Sequence, residues 1–307
     1  MFRNSRILVP TDFSDYAAIA LRYASALAHT YQAVLQLVHV LDERVLRKSG
    51  GPSERAPDAG EEAMVAEARM KAGERLAQLA DQLKDQGAEA EHHVALGHPV
   101  EEITRFAKEL GCDLIVIATH GHSGFDRFVF GSVCDKVIRR AEVPVLSVKP
   151  PQEGADEQTP QPVIRRILYP TDFSEYADAV LPYAVSLCRE LGAELVLFHA
   201  TEMAVMMPEF MLEDTAPAKA EMEQYAREAM ERVRSGVADV HVETQLTVGT
   251  PFREICRAVK ESSIDLVVIP THGRSGFAKL LFGGVAERVV RRAACPVMTI
   301  RPPKDET

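Results

Sequence analysis

The sequence predicts two α/β domains in tandem, each a doubly wound, five-stranded parallel sheet. Two observations carry this expectation. The first is an internal repeat. Arg6-Ile-Leu-Val-Pro-Thr-Asp-Phe-Ser-Asp-Tyr-Ala17 returns as Arg166-Ile-Leu-Tyr-Pro-Thr-Asp-Phe-Ser-Glu-Tyr-Ala177, identical at ten of twelve positions. Asp113–Val145 returns as Asp265–Val297 in the same order, identical at 19 of 33 positions. The second is that each half alternates short, almost wholly apolar runs with longer segments of helical period. That alternation builds parallel sheets covered on both faces. A length of 307 residues suits two domains of ordinary size.

In the first half, Ile7–Pro10 reads as a short apolar strand. A helix follows from about Tyr16 to Thr30, with Ala17, Ala20, Leu21, Ala24 and Leu27 on one face. Val34–Val40 is the second strand, and Glu61–Gln86 a long helix stopped by Gly87. Glu89–Leu96 reads as strand, Val100–Leu110 as helix stopped by Gly111, and Leu114–Ala118 as a fully apolar strand. A glycine-rich loop leads into a helix over Ser132–Arg140, and Val143–Val148 closes the unit. The second half repeats the series from Ile167 to Arg301. The expected domains are residues 1–150 and 163–303. They are joined by the polar, proline-rich stretch 149–162, which reads as an extended linker.

Composition removes several classes of function. No run of about 18 apolar residues offers a membrane span, and the amino-terminal residues carry no secretory pattern, so the expected compartment is the cytoplasm. A net charge of −10 argues against non-specific binding to nucleic acid or to anionic membranes. Cys112, Cys134, Cys188, Cys256 and Cys295 form no C-x-x-C pair and read as buried small residues rather than disulfide or zinc ligands.

In an open parallel sheet, ligands bind beyond the carboxyl ends of the strands where strand order reverses. Two repeated segments fall there: Pro10-Thr11-Asp12, copied as Pro170-Thr171-Asp172, and the glycine loop Thr119–Ser132, copied as Thr271–Gly284. Glycines such as Gly121 and Gly131 permit positive φ or close backbone approach. A helix opening at Gly131-Ser132 turns free N–H groups and its positive end toward the strand termini. Ser132 has two readings, a hydroxyl donor to a phosphate or an N-cap. Asp12 and Asp172 also have two, a ligand contact or an Asx-turn, with Ser14 and Ser174 as rival caps. His39 and His199, at the second strand of each half, read as hydrogen-bonded strand histidines. His120 and His272 read as ordering the loop, and Arg139-Arg140 and Arg291-Arg292 as complementing a helix end. No Walker loop, H-E-x-x-H or Ser/His/Asp set is present.

Across nearly all of both halves the chain resembles the universal stress protein family, whose ATP-binding pattern is G-x-x-G, nine residues, then G-[S/T]. The first half reads Ala118-Thr-His-Gly121, nine residues, Gly131-Ser132, and the second Pro270-Thr-His-Gly273, nine residues, Gly283-Gly284. The resemblance implies Rossmann-like domains related by a pseudo-twofold and an ATP site, occupied mainly in the first half. Thr11 and Asp12, beside Pro10, would lie near adenine and ribose, with the Val40 backbone against the base. Ala118, Gly121, His122, Ser123, Gly131, Ser132 and Val133 would line the phosphates. The corresponding positions of the second half are Pro170, Thr171, Asp172, Ala200, Gly273, Arg274, Ser275, Gly283, Gly284 and Val285. A Mg2+ ion bridging ATP phosphates would suit a site with few protein carboxylates.

The expected function is therefore an ATP-binding regulatory or stress-protective protein, with nucleotide mainly in the first repeat. The alternatives are a slow ATP hydrolase, which needs little more than a positioned water, and an ATP-independent interaction module. The expected partners are an adenine nucleotide and the other repeat, with homo-oligomer formation left open. The terminal strands Val143–Val148 and Cys295–Ile300 are expected to pair, because the resembled family pairs this strand across a dimer and a bare edge invites partners. Residues 1–150 expressed alone should then run as a homodimer in sedimentation; a well-folded monomer at high concentration would contradict the pairing. Met203–Leu212, directly after the second strand of the second half, is expected to form a mobile apolar flap or a packed helix.

Overall fold

The computed structural model describes residues 5–43, 59–120, 131–149, 162–202, 216–271 and 284–302, with the side chains of 216–219 excluded. The Pro/Gly-rich loop at 44–58, nearly all of the linker and the Met203–Leu212 segment lie outside the described residues. The chain divides into two compact units between Pro162 and Val163.

In the first unit the elements are β1 (Arg6–Pro10), α1 (Asp15–Tyr31), β2 (Val34–Asp42), α2 (Ala59–Asp85), β3 (Ala90–Gly97), α3 (Pro99–Glu109), β4 (Leu114–Ala118), α4 (Ser132–Arg140) and β5 (Val145–Val148). All four strand pairs are parallel, in the order β3-β2-β1-β4-β5. The chain thus winds one way from β1 to β3 and then returns to the other side of β1. That reversal opens a crevice between the carboxyl ends of β1 and β4. Ile7, Leu8, Val9, Leu35, Ile115, Val116 and Leu146 are fully buried. This is why the strands read as unbroken apolar runs rather than alternating ones. Each such Leu or Ile contributes about 1.5–3 kcal/mol by leaving water. α1 lays Ala17, Ala20, Ala24 and Ala28 toward the sheet, small side chains that allow close packing.

The second unit repeats the design with β6 (Arg166–Pro170), α5 (Glu175–Leu191), β7 (Glu194–Thr201), α6 (Ala216–Ser235), β8 (Val242–Val248), α7 (Pro251–Glu261), β9 (Leu266–Pro270), α8 (Gly284–Arg292) and β10 (Val297–Ile300). Its strands pair in parallel in the order β8-β7-β6-β9-β10, with the same reversal at β6 and β9. The boundaries fall within about two residues of the sequence expectation, and two of the differences have a plain cause. β2 runs on to Asp42 because β3 offers partners as far as Gly97. β5 begins at Val145 rather than Val143: Pro144 has no N–H to give a ladder, and its carbonyl accepts from Ile115 N at 3.0 Å. Four of the five cysteines are buried, Cys256 is half-buried where burial was expected, and none forms a disulfide. Burial pushes the Cys112 and Cys188 thiols up to about 12, leaving them unreactive at neutral pH.

Candidate functional site

The loop after β1 is built the same way in both units. Thr11 N donates to Val38 O at 2.9 Å, which extends the β1–β2 ladder past Pro10. Phe13 N then donates to Thr11 Oγ1 at 3.0 Å, and Ser14 N to Asp12 Oδ1 at 3.0 Å. Ser14 Oγ donates to the same carboxylate oxygen at 2.5 Å and accepts from Ala17 N at 3.2 Å. Asp12 therefore closes an Asx-turn while Ser14 is the N-cap of α1, so both local readings hold together. In the second unit Thr171, Asp172, Phe173 and Ser174 repeat these bonds to within about 0.1 Å.

Phe13 and Phe173 lie in the left-handed region at φ 62° and 59°. A non-glycine residue there costs about 1–2 kcal/mol, and its neighbours must hold it. His39 Nδ1 lies 2.8 Å from Thr11 O, and the His39 and Phe13 rings lie 4.6 Å apart. His199 makes the same 2.8 Å contact with Thr171 O, with its ring 4.3 Å from Phe173. Arg75 covers the far face of the first cluster, its guanidinium 4.1 Å from the Phe13 ring centre. Burial lowers the His39 pKa, against the opposing pull of the Thr11 carbonyl and the Asp12 charge. The ring is neutral at pH 7 and, facing a carbonyl, carries its proton on Nδ1, a tautomer assigned from the hydrogen-bond network.

At the end of β4, Thr119 is fully buried and its N–H donates to Val148 O at 2.9 Å. Its hydroxyl pairs with His120 Nδ1 at 2.9 Å, and the His120 ring lies 5.6 Å from Tyr16, so His120 orders the loop entry as expected. Gly131 N donates to Thr119 O at 2.7 Å, and a Cβ on Gly131 would sit 2.8 Å from that same oxygen. Gly131 has φ −61°, so close approach and not positive φ is what requires glycine here. Gly131 itself occupies the N-cap position of α4, without a side-chain cap, and Ser132 is the first helical residue. The N-cap reading of Ser132 is thereby corrected. Its side chain is exposed at the helix start, on the end whose free N–H groups carry positive charge. The arginines at the far end pair locally, Arg139 with Asp135 at 2.9 Å and Arg291 with Glu287 at 3.2 Å.

In the second unit these ends enclose a cavity of about 390 Å3, within the size range of small-molecule sites. Pro170, Thr171 and Asp172 from β6, Ala200 from β7, and Gly284 and Val285 from α8 all line it, so six of the sequence-predicted residues converge. Pro270, which stands in the repeated glycine pattern, also lines it, and Phe198, His199, Thr201, Glu202, Met222, Pro251, Ile255, Ile269, Thr271 and Ala286 complete the wall without having been among the expected contacts. The first unit places Pro10, Thr11, Asp12, Val40, Ala118, Gly131, Ser132 and Val133 at the matching strand ends and helix start. Gly121, His122, Ser123, Gly273, Arg274, Ser275 and Gly283 lie outside the described residues. Among the described residues there is no cluster of three His, Cys, Asp or Glu able to hold a metal, and no helix long and apolar enough to cross a membrane.

The comparisons with known proteins agree with this architecture. A structure of a universal stress protein from Archaeoglobus fulgidus superposes with a TM-score of 0.70, covering 98% of this chain and 100% of that one at 23% identity, which bears on the fold. A universal stress protein of Methanocaldococcus jannaschii is 33% identical over 152 residues, 47% of this chain and 94% of that protein. One from Mycolicibacterium smegmatis is 24% identical over 305 residues, covering 96% of this chain and 97% of its own length. The family model for the universal stress protein family matches twice, at residues 3–149 and 164–301. The chain belongs to the universal stress protein family and carries two of its domains in tandem.

Proposed function

We propose that this protein binds ATP at the carboxyl ends of β1 and β4 and serves in the cytoplasm as a nucleotide-responsive regulatory or stress-protective protein. The observation that carries the reading is the convergence, in the second unit, of the repeated Thr-Asp loop, the second-strand end and a helix start on one crevice of ligand size, with the same elements at the matching strand ends of the first unit. Each part has matching chemistry. The free N–H groups of α4, with the Ser132 hydroxyl, suit phosphate oxygens. Asp12 keeps one carboxylate oxygen in its turn and can offer acceptor capacity to ribose hydroxyls. Backbone groups at Val40 can pair with the edge of adenine. Mg2+ would be held through the phosphates, in keeping with an ion that retains most of its waters. Binding is the reading favoured over turnover, with at most a slow hydrolysis.

The first unit is the tighter site in this reading. Ser132 there becomes Gly284, which removes a hydroxyl donor, and Ala118 becomes Pro270, which removes an N–H. A hydrogen bond to a charged phosphate is worth about 1.5–3 kcal/mol. Ser132→Ala should therefore weaken ATP binding about tenfold in calorimetry of the full chain with Mg2+. ATP uptake with unchanged affinity and stoichiometry in this variant would sink the assignment of the first unit as the principal site.

A further inference from the structure

The left-handed phenylalanine and its histidine occur in both units, the phenylalanine within the repeated segment that follows the first strand. Both copies show the ring Nδ1 at 2.8 Å from a threonine carbonyl and a phenylalanine at φ near +60° stacked on the imidazole. Starting the helix does not need this arrangement, because Ser14 and Ser174 already cap it through their own hydroxyls. Strain held in place at the same point of a ligand cleft is the pattern of a preorganised site rather than of a neutral turn. In the second unit His199, Thr171 and Asp172 all line the same cavity, so the clamp and the residues it fixes share one wall.

We propose that His39 and His199 are positioning residues, each clamping the Thr-Asp loop of its unit in the geometry that presents the aspartate to ligand. The histidine N–H holds the threonine carbonyl, and its ring braces the phenylalanine that follows the aspartate. With the N–H removed, the phenylalanine backbone relaxes toward negative φ and swings the preceding Asp12 or Asp172 away from the crevice. The charge and the hydrogen-bonding groups that touch ligand are unaltered; only their placement is lost. The inference rests on the reading of this crevice as an adenine-nucleotide site.

The test uses the full chain and two substitutions that separate the N–H from the bulk of the ring. His39→Leu removes the donor, while His39→Asn restores an amide N–H close to the Nδ1 position. His39→Leu should lower ATP affinity about tenfold, and His39→Asn should bind within about threefold of the unaltered chain. Both should keep the circular dichroism of the folded protein. Long-range proton–nitrogen spectra of the unaltered chain should show His39 and His199 carrying a proton on Nδ1. Equal affinity in all three proteins, or loss in His39→Asn as deep as in His39→Leu, overturns the clamp, as does an Nε2-protonated tautomer. If the unaltered chain takes up no ATP while its histidines show the Nδ1 tautomer, the nucleotide reading of the crevice has failed and the positioning role falls with it.

Discussion

Replacing Gly131 with valine is expected to abolish measurable ATP binding by the first unit, with an affinity loss of about 100-fold or more. A Cβ at this position would lie 2.8 Å from the Thr119 carbonyl oxygen, a backbone atom at the end of β4 that also accepts the Gly131 N–H. No flexible side chain stands there to yield, and valine adds two further methyl groups. The start of α4 must move away from the strand end, taking with it the N–H groups and the Ser132 hydroxyl aimed at the phosphates. Losing two or more charge-assisted hydrogen bonds removes about 3–6 kcal/mol, which sets the scale of the effect. Calorimetry and a melting curve should be run together. A folded Gly131→Val protein that binds ATP within threefold of the unaltered chain would remove α4 from the site.

The largest stability effect is expected from Ile115→Ala. Ile115 is fully buried on β4, and its Cα pairs in register with Leu8 on one side and Val145 on the other. Truncation leaves a cavity inside a sheet covered by helices on both faces, which costs about 2–5 kcal/mol. Ile115→Val at the same place should cost about 0.5–1.5 kcal/mol. Hydrogen exchange of the β1 and β4 amides checks this directly, since protection in the first unit should fall by that amount. A loss below about 1 kcal/mol for the alanine variant would mean that β4 is not an interior strand of a tightly packed sheet.

Much of the fold was legible because burial on both faces leaves an unmistakable trace. Ile7-Leu8-Val9 and Leu114–Ile117 are apolar at consecutive positions, which only a covered parallel strand needs, and each run returns in the other half. The helix stops at Gly87 and Gly111 were legible for a local reason: both residues adopt positive φ. The site was legible in outline, since repeated loops after the first and fourth strands lie at the reversal of strand order. Its finer geometry was not. Phe13 carries no sequence mark of a left-handed residue, because what holds it is a ring on β2 and an arginine on α2, contacts made across the fold. The role of Gly131 was open between φ and close approach, and only the position of the Thr119 carbonyl decides it. Ser132 was open between a cap and a phosphate donor, and the helix begins one residue earlier than the cap role requires. Met222, Ile255 and Ile269 line the second cavity, but in sequence they read only as helix and strand apolar positions. A signal for Met222 and Ile255 would have been their spacing from the strand ends once the winding order was assumed.

An adenine-nucleotide site at the strand ends should reveal itself in what the protein carries out of a nucleotide mixture. The full chain is incubated with Mg2+ and a mixture of ATP, GTP and CTP, freed of unbound nucleotide on a rapid desalting column, denatured, and the released nucleotide identified and counted by chromatography. ATP in preference to GTP and CTP, approaching one equivalent per chain and lost in Gly131→Val, is the predicted result. Release of no nucleotide, or of the three in equal proportion, would contradict it.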